Sequence, residues 1–292
     1  MITNHTLLQI GAFFNLPKLL KGRTKCVSYH DGNAALSTES PYFPKRVAAR
    51  KIRALLDYEK SVYEGLDHIF AMSEYLKSSF VNDFGIAPQK ITSIGAGINL
   101  PSLPEVDPHK DYDIKEILFI GVEFLRKGGP DVVEAFKKTR RKYPEAVLHI
   151  VGPKELDSSI KSAPNIKFHG FLSKNNQDDL QRLNALFARS TLLVMPSLYE
   201  PFGIAPLEAM AHSIPCIVSN RWALPELVTP GVNGELTEPS NSEMLAEKII
   251  ALFSDSQRMK RYGQAGRLMV KEKFTWDKVV GRLAQRLPHV CG

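Results

Sequence analysis

Two glutamates eight positions apart, Glu200 and Glu208, bracket the segment Glu200-Pro201-Phe202-Gly203-Ile204-Ala205-Pro206-Leu207-Glu208. Glu200 closes the apolar run Leu192-Leu193-Val194-Met195-Pro196-Ser197, which reads as a buried parallel strand with its C-terminal end at a crevice. Pro206 suits the first position of a helix, where a missing N–H costs nothing. Glu208 is then expected in the first turn, on the positive end of the helix dipole. Gly203, with Phe202 and Ile204 beside it, lets backbone amides approach a ligand closely. Upstream, Arg126-Lys127-Gly128-Gly129-Pro130 leads into another helix. Arginine grips two oxygens at once, lysine is a point charge, and the glycine amides are expected to point at the anion these cations hold. Carboxylates accept hydroxyl hydrogen bonds, and cations with helix amides hold phosphate, so the two segments together suit a nucleotide sugar. A competing reading makes the two carboxylates the acid and nucleophile of a glycosidase. A Glu208 held ionised by a helix N-terminus is a poor proton donor, which counts against it.

Such residues need a sheet to aim them. Apolar runs at 117–120, 147–151, 166–168, 191–195 and 216–219 read as strands, rich in Ile, Val, Leu and Phe. Amphipathic segments at 131–142, 178–189, 206–211, 242–253 and 257–273 read as helices. This alternation predicts a doubly wound parallel sheet with helices on both faces. Upstream, strands are expected at 6–13, 26–29, 69–71 and 90–94, with helices near 44–65 and 73–84. Ser73 starts the latter helix and Gly85 stops it. Three prolines within 100–108 mark a linker. The expected division is 1–105, 106–275 and a C-terminal helix, 276–292, in which Trp276 and Val279 are candidate anchors.

The segment from Glu200 to Glu208 resembles the E-x7-E signature of the retaining family 4 glycosyltransferases (glycosyl transferases group 1) of the GT-B fold. Phe119-Ile120-Gly121 with Arg126-Lys127-Gly128-Gly129-Pro130 resembles their diphosphate-binding segment. Val151-Gly152-Pro153, His169-Gly170-Phe171-Leu172, Pro215-Cys216-Ile217-Val218-Ser219 and Gly231-Val232-Asn233-Gly234-Glu235 follow in the same order. The resemblance implies an α/β GT-B protein of two Rossmann-like domains with parallel sheets, the N-terminal one incomplete. About 105 residues precede a second domain of about 170, and no glycine-rich turn precedes Gly32, so an N-terminally truncated chain is expected. It further implies a C-terminal helix that returns to the first domain and a metal-independent hexosyltransferase that needs no cofactor. Its donor is a UDP- or GDP-sugar on the C-terminal domain, and the acceptor hydroxyl comes from the N-terminal side. Lys127, Arg126, Glu200 and His30 are implied in catalysis. Glu208 is implied at the ribose, Gly203, Phe202, Ile204 and Gly128 by their backbone, and Phe171 and Leu172 at the base. His30 with Asp31, after a strand, matches the family's active-site histidine. Val122 stands where the family often has arginine.

Composition is that of a soluble globular protein, with 43% apolar and 24% charged residues. The charge of +7 favours anionic partners, yet no nucleic-acid recognition motif is present. Cys26, Cys216 and Cys291 have no C-x-x-C spacing, which points to a reducing compartment and no metal site. No apolar run is long enough to span a bilayer. Lys45, Arg46, Arg50, Lys51 and Arg53, without an acid among them, form a solvated helix face or a membrane-surface contact. A cytoplasmic location is expected, with peripheral contact at the inner membrane face and a glycan, lipid-linked or small-molecule acceptor. Two further readings stay open: a catalytically silent nucleotide-sugar-binding fragment that needs a separate N-terminal part, and a sugar-nucleotide epimerase with Asp31 as its acid/base group.

Overall fold

The computed structural model describes residues 5–21 and 24–291, in two compact units. One unit runs up to Gly97 and resumes at Trp276; the other is Ile98–Thr275. The proline-rich segment 100–108 therefore lies inside the second unit.

The first unit contains β1 (Thr6–Ile10), α1 (Leu16–Leu20), β2 (Lys25–His30), α2 (Ala34–Glu39), α3 (Ala49–Gly65), β3 (His68–Ala71), α4 (Glu74–Asn82) and β4 (Ile91–Ser93). The strands form one parallel sheet in the order β1-β2-β3-β4. Alternation along β2 divides its side chains between two faces. Cys26 packs with Tyr63, Phe80 and Phe84 from the α3 and α4 side, while Val27 and Tyr29 pack with Phe70, Ile94 and Val279 on the other. Ser73 caps α4 by accepting from the Leu76 amide at 3.0 Å, which satisfies a donor the helix leaves open.

The second unit contains β5 (Glu116–Ile120), α5 (Gly129–Thr139), β6 (Val147–Val151), α6 (Ser158–Lys161), β7 (Ile166–Gly170), α7 (Gln177–Arg189), β8 (Leu192–Met195), α8 (Ile204–Ala211), β9 (Cys216–Ser219), α9 (Leu224–Leu227), β10 (Gly234–Thr237), α10 (Ser242–Phe253) and α11 (Ser256–Lys273). The sheet is parallel throughout, in the order β10-β9-β8-β5-β6-β7. Strands β8 and β9 are buried along their whole length, which is why they read as unbroken apolar runs. One face of the sheet, with Ile117, Phe119, Leu148, Ile150 and Val194, buries Val132, Val133 and Phe136 of α5. Short β10 escaped the sequence pattern because Gly234-Glu235-Leu236-Thr237 has a single large apolar residue.

After Lys273 the chain returns to the first unit as α12 (Trp276–Cys291). Val279 is 2% exposed within the sheet's second face, and the Arg282 guanidinium donates twice to the Ile94 carbonyl, at 2.9 and 2.6 Å. The chain crosses from β7 over to β8 by way of α7, so β5 and β8 are the adjacent strands between which the winding reverses. In open α/β sheets the carboxyl ends at such a reversal form the ligand crevice.

Candidate functional site

The loops after β5 and β8 meet at that reversal. Residues 123–129 form a closed turn: the amides of Lys127, Gly128 and Gly129 donate to the carbonyls of Glu123, Leu125 and Phe124 at 3.0, 3.1 and 2.8 Å. The glycine amides are thus engaged inside the turn, and the expectation that they point at an anion is corrected. Gly128 serves instead as a spacer. Its φ is +75°, and a Cβ there would lie 2.3 Å from the Pro196 carbonyl oxygen. The turn consequently presses against the end of β8. Arg126 ties the two loops together. Its Nη1 donates to the Tyr199 carbonyl at 2.9 Å, its Nε to Glu123 at 2.7 Å, and its own carbonyl accepts from the Leu198 amide. Lys127, next in the chain, forms an ion pair with Glu200, and both side chains are largely buried.

On the other strand, Gly203 is the N-cap residue of α8 at φ +114°, with Leu224 where a Cβ would go. The helix begins at Ile204, so Pro206 occupies its third position and Glu208 its fifth, beyond the first turn. This corrects the placement expected from Pro206: proline is tolerated anywhere in the first turn, and it marked the start two residues late. The amides of Ile204 and Ala205 have no acceptor among the described residues. Of the two turns at which the sequence predicts open amides, only this helix start leaves them open. The Phe202 side chain is buried and packs toward Phe274, so it is not itself a ligand contact.

Glu208 is 4% exposed. Burial pushes its carboxyl above the ordinary carboxylate range, while Lys174 and the Asn99 amide pull it back. Burial, not the dipole, is the dominant influence, contrary to the expectation for a first-turn glutamate. Lys174 forms an ion pair with Glu208 from the loop after β7 and was not singled out in the sequence. No local spacing marks it, since its partner is 34 residues away. In the same loop Phe171 is exposed and Leu172 buried. His169, just before, shares a 3.0 Å hydrogen bond with His149, whose other nitrogen lies 3.2 Å from Glu116; Arg189 donates to both Glu116 oxygens at 2.6 Å.

His30 lies in the first unit and is a core residue. Its ring packs edge-on to Tyr63 and Phe80, with centroids at 5.4 and 5.3 Å, and shares a 2.8 Å hydrogen bond with Ser28. Burial lowers its pKa to about 4. Strand parity explains the correction, because His30 shares with Cys26 and Ser28 the face that α3 and α4 cover. Asp31 is exposed. The five cations of 45–53 are all exposed, and none of the described helices is long and apolar enough to cross a membrane.

Residues 106–269 match the family described as glycosyl transferases group 1. Glycogen synthase of Mycobacterium tuberculosis is 27% identical over 290 residues, which cover 96% of this chain and 65% of that protein. The chain therefore spans less than two thirds of that relative's length. Among solved structures, sucrose-phosphate synthase from Thermosynechococcus elongatus aligns with a TM-score of 0.76 at 20% identity, covering 98% of this chain and 73% of that one. HepE of Anabaena, solved in complex with UDP, aligns with a TM-score of 0.73 at 20% identity, covering 92% and 74%. The fold is accordingly that of the GT-B proteins, two α/β units each built on a parallel sheet.

Proposed function

Because the chain belongs to the glycosyl transferases group 1 family, we propose that it moves a sugar from a nucleoside-diphosphate donor to an acceptor hydroxyl, with retention of configuration. The observation that carries this reading is the meeting of Lys127, Glu200 and the open start of α8 at the β5/β8 reversal. The donor diphosphate draws Lys127 away from Glu200 and Arg126 from Glu123, and accepts from the Ile204 and Ala205 amides. Glu200, released, accepts from hydroxyls of the sugar, and Glu208 from those of the ribose. The bond from the anomeric carbon to phosphate oxygen breaks as the acceptor oxygen bonds to the same face. The acceptor's proton passes to the departing phosphate. Charge on the diphosphate is met by Lys127, Arg126 and the helix start, with no metal invoked. A UDP-sugar is the donor to test first, since HepE was solved with UDP; GDP-sugars are the alternative. The acceptor is a glycan, a lipid-linked chain or a small molecule in polysaccharide or glycolipid synthesis. The exposed cations of 45–53 suit contact with the inner face of the membrane from the cytoplasm.

The test is calorimetric titration of UDP and GDP, followed by NMR assignment of the product anomer from the preferred sugar donor. Failure of both nucleotides to bind, or an inverted product, would overturn the proposal. A second reading, donor binding without turnover by this chain alone, is favoured by β1. That edge strand leaves Leu7, Leu8 and Ile10 exposed, with Phe13 and Phe14 beyond, a natural template for another polypeptide. Turnover by the isolated chain would eliminate it.

A further inference from the structure

Both carboxylates of the donor site hold a lysine, but the two pairs differ in kind. Lys127 comes from the phosphate-side turn already described. Lys174 sits in the loop after β7, its Nζ on Glu208 and also donating to the Asn99 carbonyl at 3.3 Å. The Asn99 amide in turn donates to Glu208. Glu208 is thus gripped from two sides, by an ammonium and by a peptide N–H from a segment over 100 residues away in sequence. The carboxylate side chain is 5% exposed and the lysine 33%, so the lysine is the member able to leave. Its four-carbon stem can swing toward solvent while Glu208 stays fixed in α8.

We propose that Lys174 is a positioning residue of the nucleotide subsite, which keeps Glu208 ionised and correctly aimed until the ribose hydroxyls take over its hydrogen bonds. The proposal rests on the donor-site reading above. A buried carboxylate without a cation takes up a proton and becomes a poorer acceptor for two hydroxyls. Lys174 prevents this in the empty site, and Asn99 holds the geometry while the ammonium withdraws. Among the described residues, Lys174 is the one charge in contact with Glu208. His212, one turn along α8, is kept neutral to about pH 4 by burial, aided by the positive charges of Lys110, Arg267 and Lys174. The Arg267 guanidinium is engaged by the Ala211 carbonyl, and Lys110 donates to the carbonyls of Phe187 and His212 at 3.1 and 3.4 Å. His212 therefore stays neutral across the pH range of the test, and Lys110, whose pKa burial lowers to about 8, is engaged by the Phe187 and His212 carbonyls rather than by Glu208.

Carbon-13 NMR of glutamate-labelled, ligand-free protein reads the Glu208 carboxyl directly, its resonance identified by its loss in Glu208→Gln. Lys174→Met should raise its titration midpoint by about one pH unit, a tenfold change in proton affinity, whereas Lys174→Arg should leave it nearly unmoved. Calorimetry with UDP, and in parallel GDP, should then show the affinity ratio of wild type to Lys174→Met growing as the pH falls from about 8.5 to about 5.5, toward a ceiling of about tenfold. In a Glu208→Gln background the same substitution should lose that pH dependence. An unmoved midpoint in Lys174→Met, or an affinity ratio flat with pH, overturns the proposal. If Glu208→Gln binds both nucleotides as tightly as wild type while Lys174→Met still moves the midpoint, the ribose reading of Glu208 fails and the Lys174–Glu208 coupling stands.

Discussion

At the scale of single residues, the proposed donor site is a set of charges neutralised in pairs. Lys127 and Glu200 are both largely buried, so either one alone would be an uncompensated charge. Lys127→Ala should lower turnover by roughly a hundredfold to a thousandfold, the usual cost of removing one donor to a developing oxyanion. It should also cost about 3 kcal/mol of stability, because Glu200 is stranded. Steady-state kinetics and urea unfolding measure the two effects separately. If Glu208 accepts the two ribose hydroxyls as proposed, Glu208→Ala should weaken UDP binding by roughly tenfold to a hundredfold. Unchanged affinity in that variant would remove Glu208 from the ribose site. Glu200, Glu208, Lys127 and Arg126 were legible as residues because each lies within two positions of a glycine or proline that announces a turn. Lys174 was not, since a lone lysine in a polar loop carries no local signature.

At the scale of elements, the site exists because two turns fit into each other. The turn after β5 touches the end of β8 through Gly128, which has no space for a side chain and a φ that others rarely adopt. Gly128→Ala should therefore destabilise the protein by about 2–3 kcal/mol and loosen the Lys127–Glu200 pair. Urea unfolding and UDP titration check both outcomes. Strand runs and helix starts could be read from apolar period and caps, with boundaries displaced by a few residues, as Pro206 shows. The short elements α1, α2, α6, α9 and β10 were missed, because four to six residues provide too little period. Helix α12 is held by Val279 and Arg282 against the first unit's sheet. Val279→Asp puts a charge at a 2% exposed position and should cost about 3 kcal/mol or more. Limited proteolysis should then release α12 first.

At the scale of the whole molecule, buried and half-buried imidazoles set the acid limit. His30, His68, His169 and His212 each have a pKa lowered from 6.5 to about 4, burial being the largest cause in every case. An unfolded chain charges these rings near pH 6.5, so between that value and about 4 it binds more protons than the fold does. The stability they contribute is complete above pH 6.5 and is lost as the pH falls toward 4. The thermal midpoint should decline across this window, and a midpoint constant from pH 7 to 4 would contradict the burial of these rings.

By itself the sequence determined the kind of fold and the family, and it named the residues from which donor chemistry is proposed. Apolar runs on a βαβ rhythm leave few architectures open, and glycine and proline mark where backbone must turn. The tertiary structure decided which amides stay open, which histidine is mere core and which lysine meets Glu208. Those outcomes depend on strand parity and on partners brought together from far apart in the chain. Neither leaves a local pattern, because side-chain direction and long-range proximity are set only when the sheet closes around them.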